Sequence, residues 1–316
     1  MRSALIFIIA VLFAPLGAQE TSAGPAPAYS PKVPKPTQSG IPYGTHERQV
    51  MDFWKAASTA PTPLVFVIHG GGWTGGSKER VDRAVDVEAL LKVGISVVAI
   101  NYRLIKRGAP GSEPPVKAPL HDAARALQFV RSRAAEWNID KRRIGAAGGS
   151  AGGCSSLWLA FHDDLADPKS DDPVARESTR LSCAAVTAPQ TSLDPAQMKS
   201  WTPNSTYGGH AFGFANFAEF LAGREKILPL IAEYSPYALV SAEDPGVYMA
   251  FRAAPAIGQN LKDSTHTSNF GVKLAEHCGA KGVPAELVYP GAPNVVHATP
   301  TDYLIATLTY QGMKRP

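Results

Sequence analysis

From residue 64 to residue 291, short apolar runs alternate with segments of helical periodicity. The run "LVFVIHG" (64–70) is apolar on both faces, and so are "ISVVAINYR", "RIGAAGG", "LSCAAVTAP" (181–189) and "GVYMAFRA" (246–253). "AELVYPG" (285–291) completes the set. A strand without polar alternation is stable only where both faces are covered, as in a parallel sheet. Helical segments supply the cover. Residues 78–93 carry a helical period that stops at Gly94, and residues 121–137, "AGGCSSLWLAFH", "NFGVKLAEHCGAKG" and "PTDYLIATLTY" do the same between later strands. The pattern predicts an α/β fold: a mostly parallel sheet with helices on both faces.

One stretch interrupts the alternation. Residues 190–245, before the seventh strand, are too long for an ordinary connection and carry Trp201, Tyr207, His210, Phe212, Phe214, Phe217 and Phe220. An aromatic-rich insertion of this kind either walls a pocket or forms a small packed subdomain. For most of these rings, packing is the expected role.

The termini divide differently. Residues 1–18 have the form of a secretory leader: Arg2, then an apolar core over 4–13 too short to span a bilayer, then small residues near Ala18. The alternative is an uncut N-terminal anchor. Residues 19–42, rich in Pro, Ser and Ala, read as a flexible arm, leaving 43–316 as the folded domain. The expected location is secreted or periplasmic, with no stable membrane partner once the leader is removed.

The net charge of +4 is small for 316 residues, and the basic residues are scattered, which argues against nucleic acid as a partner. Three well-separated cysteines, Cys154, Cys183 and Cys278, match neither a disulfide framework nor a zinc pattern. The acidic stretch 162–173 lacks recurring calcium-ligand spacing and reads as a solvated loop. No metal and no organic cofactor are expected.

Two glycine motifs carry the chemistry. In "AAGGSAGGCS", Ser150 has Gly148 and Gly149 before it and Gly152 and Gly153 after it. A flexible linker would not join two apolar segments. A phosphate loop would need Lys then Ser/Thr after its last glycine, and Cys154 stands there instead. The remaining reading is a sharp strand-to-helix turn of the G-x-S-x-G type, which lifts one hydroxyl above a sheet. The second motif, "HGGGW" (69–73), follows the strand "LVFVI". Its glycines let backbone N–H groups approach an oxyanion. Gly71, Gly72 and Ala151 are the expected donors.

On "HGGGW", "NYRL" (101–104), "HDAARALQFVR" (121–131), "IDKRRIGAAGGSAGG" (139–153) and "SPYALVSAEDP" (235–245), the chain resembles the α/β-hydrolases of the hormone-sensitive-lipase and carboxylesterase type, near the feruloyl and acetyl xylan esterase branch. The resemblance implies an α/β-hydrolase fold and a serine nucleophile, then an acid and a histidine in that chain order. It places the base after the last strand, at His297. His266 is the rival, being close to the acid position. The family's usual Gly-x-x-Asp after the seventh strand is missing. The first carboxylate beyond that strand is Asp263, and Asp244 before it reads better as a turn residue. Trp73 and His266 are expected to line the substrate pocket.

The resulting expectation is an exported serine carboxylic-ester hydrolase acting on short-acyl or carbohydrate-linked esters through Ser150, Asp263 and His297. Its partner would be a small-molecule or carbohydrate ester. The alternatives are a peptidase or lipase of the same fold, or a hydrolase-like binding protein without activity.

Overall fold

The computed structural model describes residues 28–105 and 113–310. The expected leader lies outside the described residues. Eight strands form the sheet: β1 (Gln38–Pro42), β2 (Val50–Trp54), β3 (Thr62–Ile68), β4 (Ser96–Ile100), β5 (Ile139–Gly149), β6 (Cys183–Thr187), β7 (Val247–Ala250) and β8 (Ala285–Val288). Their spatial order is β1-β2-β4-β3-β5-β6-β7-β8. The pairs β1–β2 and β2–β4 are antiparallel, and every pair from β4 through β8 is parallel.

The apolar runs are explained by two-sided burial. Leu64, Phe66 and Ile68 of β3 face one core, with Val98, Ala146, Val186 and Met249. Val65 and Val67 face the other, with Ala99, Ala147, Tyr248, Leu304 and Leu308. Alternate residues of a strand point to opposite faces, so both halves of the run are needed. Cys154, Cys183 and Cys278 are buried within these cores. No helix among the described residues is long and apolar enough to cross a membrane.

The expected arm needs correction. Residues 38–42 form β1, in register with β2 through Ile41–Met51 and Pro42–Val50. Upstream of it, Tyr29 donates to Asp52 at 2.5 Å and packs edge-on against Trp54 with ring centroids 5.4 Å apart. The described part of this segment is therefore fastened to the sheet. Proline-rich composition conceals this, because an edge strand tolerates proline.

The parallel register brings the ends of β3, β5, β6 and β7 to one edge: Ile68 lies opposite Gly148, Gly148 opposite Val186 and Val186 opposite Met249. Open α/β sheets build their sites at this carboxyl edge.

Candidate active site

Ser150 sits between β5 and the helix Ala151–Phe161 with φ 53° and ψ −125°, a conformation costing a side-chain-bearing residue about 1–3 kcal/mol. The surrounding bonds hold it there: its N–H donates to Thr187 O at 2.9 Å, and its carbonyl accepts from Cys154 N at 2.9 Å. The flanking glycines are required by space. A Cβ on Gly148 would meet the Gly152 backbone at 2.5 Å, and one on Gly152 would meet Ile68 O at 2.1 Å. Ala151 opens the helix, so its N–H has no partner within it and points with the helix dipole toward the site.

The "HGGGW" loop passes beside this turn. A Cβ on Gly70 would lie 2.6 Å from Gly149 O and 3.5 Å from Ser150 Cβ. Gly71 and Gly72 adopt φ 117° and 61°, and a Cβ on Gly71 would strike Gly75 O at 2.3 Å. His69 braces the loop from beneath. It stacks on Tyr102 at 4.2 Å, and its Nδ1–H donates to Gly70 O at 2.8 Å. Its Nε2 accepts from the Arg48 guanidinium at 3.3 Å. Burial, with Arg48 adding to it, lowers the His69 pKa to about 4, so the ring is neutral at pH 7. His210, from the insertion, donates from Nε2 to Gly72 O at 3.0 Å.

Trp73 was expected in the pocket wall, and the structure corrects this. The residue is fully buried at φ 57°. Its Nε1–H donates to Ser155 Oγ at 3.0 Å, and Ser155 donates to Ala151 O at 2.9 Å. Trp73 thus ties the glycine loop to the helix after Ser150.

The histidine facing Ser150 is His266, not His297. His266 Nε2 lies 3.0 Å from Ser150 Oγ, and His266 Nδ1 lies 3.0 Å from Asp263 Oδ2. An ionised Asp263 can only accept, so Nδ1 carries the proton and Nε2 accepts from the serine hydroxyl. Asp263 Oδ1 also accepts from Thr265 N at 3.1 Å and His266 N at 3.0 Å. Burial opposes its charge, but the bonds from the His266 side chain and these N–H groups prevail and hold its pKa below the ordinary value.

His297 is diverted by a side chain of β8. Glu286 Oε2 binds His297 Nδ1 at 2.7 Å, while Glu286 Oε1 accepts from Val296 N at 3.0 Å and His297 N at 2.7 Å. Three donors converging on one carboxylate fold the segment after β8 back along that strand. Asp244 is buried before β7 and accepts from Ser241 N at 2.7 Å, as its reading as a turn residue requires.

The insertion supports the Asp263–His266 loop. Asn204 accepts from Leu261 N at 3.0 Å and donates to Leu261 O at 2.8 Å, and Gln190 donates to Thr265 O at 2.8 Å. At the loop's end, buried Asn269 donates to Trp201 O and Thr202 Oγ1, both at 2.9 Å. Trp201, Phe212 and Phe220 are buried, matching the packing role expected of most of these rings. Asp122, in the helix Lys117–Ser132, grips the Arg103 guanidinium at 2.7 Å and the Gln49 amide at 2.8 Å, joining the "NYRL" and "HDAAR" segments.

The BD-FAE family model matches residues 51–253, more than half of the chain. The chain belongs to the BD-FAE family. This BD-FAE chain is an α/β-hydrolase of the hormone-sensitive-lipase and carboxylesterase type, near the feruloyl and acetyl xylan esterase branch. It is 36% identical over 117 residues to carboxylesterase NlhH of Mycobacterium tuberculosis, covering 37% of this chain and 34% of that protein. It thus spans about a third of the length of the curated relatives it matches. Among solved structures, the acetyl ester-xyloside bifunctional hydrolase of Caldicellulosiruptor lactoaceticus superposes with a TM-score of 0.58 at 28% identity, covering 76% of this chain and 77% of that one. Thermogutta terrifontis esterase 2 superposes with a TM-score of 0.55 at 25% identity, covering 76% and 75%. The BD-FAE match ends at residue 253, before the Asp263–His266 loop.

Proposed function

We propose that this protein is an exported serine carboxylic-ester hydrolase acting on short-acyl or carbohydrate-linked esters through an acyl-enzyme. The observation that carries this reading is the 3.0 Å approach of His266 Nε2 to a Ser150 hydroxyl held in a strained turn. The carboxylesterase named among its relatives and the acetyl ester-xyloside hydrolase among its structural neighbours support the reaction class and the substrate class. The charged start and the apolar core over 4–13 support export.

In this mechanism Ser150 Oγ attacks the acyl carbon as His266 Nε2 takes its proton. Asp263 accepts the Nδ1–H bond, fixes the tautomer and stabilises the imidazolium. The carbonyl oxygen becomes an oxyanion facing the N–H groups of Gly71, Gly72 and Ala151, where each donor is worth about 3 kcal/mol of barrier. The tetrahedral intermediate collapses, and His266 returns the proton to the departing alkoxide. Water, deprotonated by the same histidine, then releases the acid and restores Ser150.

The test is direct. A fluorophosphonate probe should label Ser150 in the wild type and fail to label Ser150→Ala. A panel of aryl acetates, acetylated xylan and feruloyl sugars should show hydrolysis that Ser150→Ala loses. Wild-type activity in the pure Ser150→Ala protein would overturn the mechanism.

A further inference from the structure

The oxyanion loop presents its donors from glycines, whose peptide planes no side chain fixes, so each N–H points where its neighbours send it. No peptide bond among the described residues is cis, and in a trans peptide the C=O and the next residue's N–H point in opposite directions. Gly71 O is held inside the loop by Thr74 N at 3.1 Å and Gly75 N at 3.2 Å, which turns the Gly72 N–H outward. Gly70 O is held by a ring instead: His69 Nδ1–H reaches it at 2.8 Å and turns the Gly71 N–H away from the imidazole. This bond exists in one tautomer only. Burial keeps the ring neutral at pH 7, with a pKa lowered to about 4, so it carries a single proton. With that proton on Nε2, Nδ1 would turn a lone pair toward Gly70 O, and two acceptors would face each other.

Arg48, just before β2, bears on the choice. Its Nη2 lies 3.3 Å from His69 Nε2, and a guanidinium can only donate, so Nε2 accepts and the proton belongs at Nδ1. The same nitrogen donates to Gly76 O at 2.9 Å, while Arg48 Nε–H donates to Tyr102 O at 2.8 Å. Gly76 forms the other wall around Gly70 O: a Cβ on it would strike that oxygen and lie 2.6 Å from His69 Nδ1. We propose that Arg48 is a positioning residue for catalysis: it keeps the His69 proton on Nδ1 and Gly76 in place, and through Gly70 O it aims the Gly71 N–H at the oxyanion. This rests on the ester-hydrolase reading above, which makes Gly71 an oxyanion donor. Because Arg48 acts on the direction of a donor, its effect appears where charge develops on oxygen, in the transition state and not in the bound ester.

Arg48→Met keeps the stem of the side chain and removes its donors. On 4-nitrophenyl acetate its kcat should fall about tenfold, less than the roughly 10²–10³ that follows loss of a donor outright, with KM within about twofold of wild type. An unchanged kcat, or a loss confined to KM, would overturn the proposal. Nitrogen NMR of the imidazole rings reads the tautomer itself, with the His69 signals assigned by their absence from His69→Gln. At pH 7 wild-type His69 should be protonated at Nδ1 and bare at Nε2, a measurement that needs no Arg48 variant. Arg48→Met should gain a population protonated at Nε2, which a merely structural role for Arg48 would not produce. An Nε2–H ring in the wild type, or a tautomer that Arg48→Met leaves unchanged, would also overturn it. Hydrolysis by the wild type, abolished in Ser150→Ala, reports separately on the ester-hydrolase reading, and the ring spectrum is independent of activity.

Discussion

Asp263 and His266 stand three residues apart in one loop, and their side chains meet at 3.0 Å while the histidine reaches Ser150, 116 residues away in sequence. The proposed acid and base are thus placed by one segment, held at Leu261 and Thr265 by the insertion.

This arrangement separates two histidines. His266→Ala should lower kcat on an aryl acetate by at least a thousandfold, because only the oxyanion donors and binding would remain. His297→Ala should retain kcat within about twofold, since its partner is Glu286. Steady-state kinetics on the two purified variants decides the matter, and the reverse ranking would move the base to His297.

Asp263→Asn should be more damaging than Asp263→Ala. Two backbone N–H groups, of Thr265 and His266, hold one oxygen of the side chain. They would keep the amide oxygen of an asparagine and aim its NH₂ at His266 Nδ1. That forces the proton to Nε2, where it blocks acceptance from Ser150. A loss of about 10⁴ in kcat is expected, as for other wrong-tautomer substitutions. Asp263, 64% exposed in its side chain, would leave water at Nδ1 when cut to alanine, and a smaller loss follows. Equal kcat values for the two variants would dismiss the tautomer explanation.

Asn204→Ala removes both bonds to Leu261 without opening a core. The expected result is a several-fold fall in kcat with stability changed by about 0.5 kcal/mol or less, the usual range for an exposed position. Thermal unfolding and kinetics on the same preparation check both halves.

Stability should fall with acid through His69. Its pKa in the fold is lowered from 6.5 to about 4, chiefly by burial, so between those values the unfolded chain binds a proton that the folded chain refuses. The contribution is complete above pH 6.5 and disappears as pH falls toward 4. Urea midpoints measured from pH 7.5 to 4.5 should slope more steeply for wild type than for His69→Gln.

What could be read from the sequence followed from how local each signal is. The turn at Ser150 and the "HGGGW" loop are written in adjacent residues, because close backbone approach admits only glycine at Gly148 and Gly152. Asp263 was accessible as the first carboxylate beyond β7. The base was assigned to His297 by chain order, a rule that assumes the segment after β8 turns toward the serine. Nothing in the neighbouring residues reveals that Glu286 draws that segment back. The nearest available signal was the spacing in "DSTH" (263–266), which lets one loop close acid onto base. Trp73 misled by adjacency: its burial and its bond to Ser155 depend on a helix 82 residues downstream.

Glu286 has one more consequence. By anchoring Val296 and His297 to β8, it leaves the turn from Gly291 to Asn294 at the rim of the sheet, followed by a Val296 side chain 77% exposed to solvent. In a hydrolase whose base is carried after the last strand, that turn would be closed to alteration. Here that demand falls on the Asp263–His266 loop instead, and the turn is expected to accept an inserted affinity tag, carbohydrate-binding module or fluorescent reporter.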